Sequence, residues 1–276
     1  MAFFSRYLAL AACFATISGC FQVETTVRVN PDGSGTIEER MLLSRKVISQ
    51  FDEMARSFAG PDEKPKPFTL HEEEKLRKQA ADFGPGVVYV KSRVIEDEAY
   101  TGYRATYSFA DINKVRLSSR GSESMAGKEE KQAGSDADAV AFRFDTGPES
   151  RLVIFMPRNG KAAQASDPKG NDSEEPAMTP EQKQAFADMM KGMHFSLAVE
   201  VKGTVVKSNA THLAGNRITL FDFDLDRMGG SFEDLSKLRA GGGSQPPTFA
   251  EARDLLKDLP GVAIELHDRV EVRFRK

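Results

Sequence analysis

Four carboxylates are the first residues whose spacing suggests chemistry. Asp222, Asp224, Asp226 and Glu233 fall at positions 1, 3, 5 and 12 of a calcium-loop pattern, so several hard oxygen donors could converge on one cation. Against a metal site, Arg227 stands where the sharp turn needs glycine, and Ile218–Leu225 has the look of a strand rather than a helix. The alternation Phe221-Asp222-Phe223-Asp224 is what a half-buried strand with one solvated face shows, and that is the favoured reading. The four histidines, His71, His194, His212 and His267, form no metal pair at i, i+4 or i, i+2 spacing. There is no G-x-S-x-G, no phosphate-cradling glycine loop and no dinucleotide fingerprint, so no cofactor and no catalytic residue is expected. Phe186, Met189, Met190 and Met193 recur at helical spacing. They could line an adaptable apolar groove for a partner, although such a stripe is more often core.

The strongest chemical signal is a single cysteine and the segment before it. Arg6 gives a weakly positive start, Tyr7–Ile17 is an apolar run too short to span a bilayer, and the run closes on Ile17-Ser18-Gly19-Cys20. Residues 1–19 therefore read as a signal peptide. The tetrapeptide resembles the bacterial lipoprotein signal, which implies diacylglycerol on the Cys20 sulfur and cleavage before that residue. Phe21 rather than aspartate follows the cysteine, which by resemblance to enteric lipoproteins implies the outer membrane, facing the periplasm. Removing the leader takes Arg6, leaving 37 Lys/Arg against 41 Asp/Glu and a formal charge of −4. That balance argues against nucleic acid as a partner and against recruitment by anionic head groups. Cys13 leaves with the leader and Cys20 carries lipid, so no thiol remains for a disulfide or a cysteine metal site.

The elements that would position these residues follow in order. Phe21–Asn30 and Thr36–Leu43 alternate on either side of Pro31-Asp32-Gly33-Ser34-Gly35, a hairpin signal. Ser44 caps a helix over Arg45–Ala59, Thr69 with Glu72 offers a capping box for a second, and Val87–Val94 and Tyr103–Phe109 read as strands. Residues 20–118 thus form a ββααββ region. Residues 119–139 are a flexible loop or linker, and residues 140–276 are a second region of mixed structure in which 159–178 are expected to be disordered. The two regions could equally form one joint domain. In the second, Val140–Phe144 and Leu152–Met156 make a hairpin, and Thr179-Pro180 opens a helix. Phe195–Val206 and Asn216–Leu225 are strands, Phe232–Leu238 a short helix, and Thr248 with Glu251 caps the last helix. Val262–Phe274 reads as one long closing strand whose apolar residues keep a single parity. The expectation is an α+β fold: antiparallel sheets built from β-hairpins, with helices packed on one face and two long flexible loops.

Three stretches together resemble the LppM-like lipoproteins of bacteria. They are Val27-Arg28-Val29-Asn30-Pro31-Asp32-Gly33-Ser34-Gly35, Gly102-Tyr103-Arg104 with Phe109-Ala110-Asp111, and Gly203-Thr204-Val205-Val206 with Ser208-Asn209-Ala210 and Gly215-Asn216-Arg217-Ile218-Thr219. The resemblance implies an α+β envelope domain in contact with lipids and brings no catalytic residues. The function expected is a non-enzymatic binding or scaffolding module for a lipid or an envelope protein, held to the membrane by its lipid anchor. The alternative is an envelope hydrolase or carbohydrate-active enzyme with a site not visible in the sequence.

Overall fold

The computed structural model describes residues 21–58, 68–118, 139–157, 192–228 and 249–276. Strand β1 (Phe21–Val29) starts at the residue after Cys20 and pairs antiparallel with β2 (Gly35–Ser44), in register from Phe21↔Leu43 to Val29↔Gly35. The turn between them is self-sufficient. The Asn30 carbonyl accepts the Gly33 amide at 3.0 Å, and Asp32 accepts both the backbone amide (3.0 Å) and the hydroxyl (2.7 Å) of Ser34. Gly33 has φ +85°, and a Cβ there would lie 2.8 Å from the Phe144 ring, so the turn needs glycine for both backbone and space.

Helix α1 (Arg45–Phe58) follows β2 directly, with the Ser44 hydroxyl accepting the Val47 amide at 3.4 Å. Helix α2 (Glu73–Gln79) starts without a side-chain cap; the hydroxyl of Thr69 meets the His71 carbonyl at 3.5 Å and the capping box does not form. Strands β3 (Val88–Glu96) and β4 (Tyr100–Phe109) complete the first half. The remaining strands are β5 (Arg116–Ser118), β6 (Ala139–Asp145), β7 (Ser150–Phe155), β8 (His194–Val201), β9 (Thr204–Ser208), β10 (Leu213–Ala214), β11 (Arg217–Asp224), β12 (Val262–Ile264) and β13 (Arg269–Arg275), with α3 (Phe249–Leu256) before β12.

These strands form two sheets. One has eight strands in the order β10-β11-β8-β1-β2-β4-β3, with β12 beside β11; the other has five in the order β5-β6-β7-β13-β9. The expectation of an α+β fold with helices on one face is therefore wrong: the protein is mostly β, with three α-helices among the described residues. The physical reason lies in the strands themselves. The second sheet turns one parity into the core (Val140, Phe142, Phe144; Leu152, Ile154; Val270, Val272, Phe274), and the first buries Val27, Val29, Ile37, Tyr107, Phe109, Val199 and Val201. All belong to one hydrophobic cluster, so the two sheets supply each other's apolar cover. Each fully buried aliphatic or aromatic side chain contributes roughly 1.5–3 kcal/mol. Nor is the first sheet purely antiparallel, because β1 and β8 run parallel, with Val27↔Val199 and Val29↔Val201.

Two runs that read as single strands are each divided between the sheets. Phe195–Val206 breaks at Lys202-Gly203 into β8 in the first sheet and β9 in the second. Val262–Phe274 breaks at Glu265–Asp268 into β12 and β13 in the same way. Of the loop expected at 119–139, Ala139 opens β6 and the rest lies outside the described residues, as do the loop expected at 159–178, the helix opened by Thr179 and the helix over Phe232–Leu238.

Candidate functional site

The calcium-loop carboxylates are occupied by the local fold. Asp222 Oδ1 lies 3.0 Å from His194 Nε2 across the β11–β8 pair. Asp224 accepts the amides of Asp226 (3.0 Å) and Arg227 (3.3 Å), and Asp226 accepts the Gly192 amide at 2.7 Å. Glu233 lies outside the described residues. Among those residues, no three His, Cys, Asp or Glu side chains are grouped to hold a metal. The hydrogen bond that Asp222 accepts raises the His194 pKa above its usual value, against the opposing effect of burial. Of the apolar stripe, Met193 is half-buried against the core and its carbonyl accepts the Leu225 amide; Phe186, Met189 and Met190, like Cys20, lie outside the described residues.

Two buried acids escaped the sequence reading. Glu39 is 6% exposed on the inward face of β2, between Ile37 and Met41. It accepts the Tyr103 hydroxyl at 2.6 Å and the Gln79 side-chain amide at 3.1 Å. Burial pushes its carboxyl above the ordinary range, and these two hydrogen bonds offset that only in part. Tyr103 and Tyr107 are likewise raised, by burial first and by the neighbouring Glu39 second. Glu265 is fully buried at the β12–β13 corner. It accepts the Thr211 amide (2.8 Å), the Thr211 hydroxyl (2.6 Å) and the His267 amide (3.0 Å), and lies 2.9 Å from His267 Nδ1. Burial pulls its pKa up, but the Thr211 and His267 donors together hold it below the usual value. Glu39 carries a sequence signal, sharing the inward parity of its apolar neighbours. Glu265 has none, because it falls on the polar parity of a run whose buried residues, Ile264, Val270, Val272 and Phe274, are all even-numbered.

Above Glu39 the polar chain continues to the surface. The His71 ring meets the Tyr103 ring at 6.4 Å between centroids, His71 Nε2 lies 2.7 Å from Ser92 Oγ, and Ser92 Oγ lies 2.7 Å from the Tyr89 hydroxyl. The Arg77 guanidinium stacks over the Tyr89 ring at 4.7 Å. Beside this cluster, α2 and the start of β3 enclose a shallow, open hollow of about 550 Å³, lined mainly by Arg77, Ala80, Ala81, Pro85, Val87 and Tyr89. Its wall carries one cation and no carboxylate, and is otherwise apolar or backbone. This is the candidate binding surface: an apolar shelf with a tyrosine and an arginine at its rim.

No protein-family model matches the chain, and no curated protein matches its sequence. Among solved structures it is similar to the folded domain of LppM from Mycobacterium tuberculosis, determined by NMR, at 10% identity and a TM-score of 0.30, with 95% of this chain and 94% of that chain covered. A likeness of that degree carries no argument about activity.

Proposed function

We propose that this chain is a bacterial envelope lipoprotein, held through diacylglycerol on Cys20 at the outer membrane and facing the periplasm, whose β body binds or scaffolds a lipid or another envelope protein. The observation that carries the reading is the position of β1. It starts at Phe21 and lies between β2 and β8 in the interior of the larger sheet, so the acylated residue would be joined to the middle of the body with no linker. Binding is favoured over catalysis because the acids with shifted pKa are engaged in the framework. Glu39 lies in the core, Glu265 ties a corner, and Glu271, lowered to about 2 chiefly by its hydrogen bond from Arg151, belongs to the charged outer ladder of the second sheet. Metabolic labelling with an alkyne fatty acid should mark the wild type and not Cys20→Ser, and equal labelling of both would sink the anchor. A photo-crosslinking residue at Val88, 56% exposed at the hollow, should capture a lipid or an envelope protein in living cells. Adduct formation no greater than from a crosslinker at Arg143, on the outward face of the second sheet, would remove the hollow as the binding surface.

A further inference from the structure

The outward face of the larger sheet carries a row of residues in register across six strands: Asp222, Ser196, Glu24, Arg40, Arg104 and Arg93. Directly opposed residues project from the same side of a sheet, so these side chains stand next to one another. Glu24 takes Arg40 at 2.6 Å. Beyond that pair, Arg104 faces Arg40 on one side and Arg93 on the other, and Lys91 lies on the same face as Arg93, opposite Thr106. Like charges directly opposed across strands are destabilising.

The compensation within the described fold is thin. The carboxylate beside Arg104 is Glu38 at 3.6 Å, itself 3.5 Å from Arg28, and neither approach is a good hydrogen bond. Arg104 Nε is buried without a hydrogen-bond partner. Lys91 and Arg93 are exposed on the edge strand β3. Protection of a free edge would account for charge on β3. It does not account for arginines on β2 and β4, which are interior strands.

We propose that Arg104, Arg93 and Lys91, with the Thr106 hydroxyl between them, form an oxyanion site for a phosphate group. Adjacent strands lie about 4.8 Å apart, which lets guanidinium groups on β4 and β3 reach two oxygens of one phosphate. The planar fork of arginine suits that geometry, and the bound anion would neutralise the opposed cations. The net charge of the mature chain does not oppose this: Glu38, opposite Thr106 on β2 and shared between Arg28 and Arg104, is the acid beside the site, and the other acids of the same face (Glu24, Glu200, Asp222, Asp224) sit towards β1, β8 and β11. The site goes beyond the proposed anchoring and does not depend on it. The phosphate could belong to a dissolved ester or to a lipid head group, since the row lies three residues along β1 from Phe21, roughly 10 Å at strand rise.

The test uses the full mature chain in non-ionic micelles, titrated calorimetrically with inorganic pyrophosphate, short-chain phosphatidylglycerol and short-chain phosphatidylcholine. Saturable binding of pyrophosphate identifies a dissolved phosphate as sufficient. Binding of phosphatidylglycerol, but of neither pyrophosphate nor phosphatidylcholine, identifies a head group. In either case the double variant Lys91→Gln/Arg93→Gln, confined to exposed positions, should weaken binding at least about tenfold, as expected for loss of charge-assisted contacts. Arg143→Gln on the other sheet should leave it unchanged. Absence of binding by both anions, or equal weakening by the double variant and the Arg143 control, would overturn the site.

Discussion

Glu39 shows how much a single buried acid can be read and tested. Its inward parity between Ile37 and Met41 is visible in the sequence, but the partners that tolerate it are not, since Tyr103 and Gln79 meet it only through the β2–β4 pairing and the packing of α2. A carboxyl whose pKa is raised on folding is retained in its neutral form. Its contribution is full below the unfolded value and is lost as pH rises through the folded value. Glu39→Gln keeps a neutral acceptor of similar shape, so its thermal midpoint should gain on that of the wild type as pH is raised from 5 to 8. A constant gap over that range would show that Glu39 does not titrate abnormally. Glu265 runs the other way. Its depressed pKa means stability is present above the ordinary carboxylate range and lost as pH falls through the folded value. Glu265→Ala leaves the Thr211 and His267 donors without their acceptor and should cost about 2–4 kcal/mol at pH 7, measured by urea unfolding. A loss below about 0.5 kcal/mol, the range of ordinary surface substitutions, would mean the corner is held by something else.

At the scale of elements, the strands were legible and their sheets were not. A period of two reports that one face is buried; it does not report against what. Phe195–Val206 and Val262–Phe274 keep their alternation through the breaks, so nothing in the pattern marks the passage from one sheet to the other. The nearest signal is Gly203. A Cβ at Gly203 would lie 2.0 Å from the Arg275 carbonyl oxygen, so β13 crosses against bare backbone there. Gly203→Val should force that strand away and lower stability by about 2–4 kcal/mol, read as a fall in urea midpoint at unchanged slope. An unchanged midpoint would refute the close crossing. The helices misled in the opposite sense. Caps and apolar stripes predict where helices occur, and α1 and α3 lie where expected, but not whether they cover a sheet. Here the partner of each sheet is the other sheet, a pairing between residues far apart in sequence that no local pattern encodes.

At the scale of the whole molecule, direction is set by the parallel pair. Because β1 and β8 run the same way, their first residues, Phe21 and His194, stand at one pole of the larger sheet, and α1 leaves β2 at that pole too. The β3–β4 connection, with Asp97 and Glu98, lies there as well, because Glu96 pairs with Thr101 and Thr101 with Leu43, the partner of Phe21. The β1–β2 turn at Asp32 marks the far pole, beyond nine residues of β1, or roughly 30 Å of strand. If the lipid is on Cys20, the body cannot stand away from the bilayer, and its two poles must differ in depth. The composition makes this testable, since a mature chain whose cysteine is acylated has no competing thiol. A spin label on Glu98→Cys should be strongly relaxed by a paramagnetic head-group probe in vesicles carrying the full mature lipoprotein, and the same label on Asp32→Cys only weakly. Equal relaxation at the two positions would show that the body does not stand on its β1 pole, and would break the link between the acyl anchor and the orientation of the sheet.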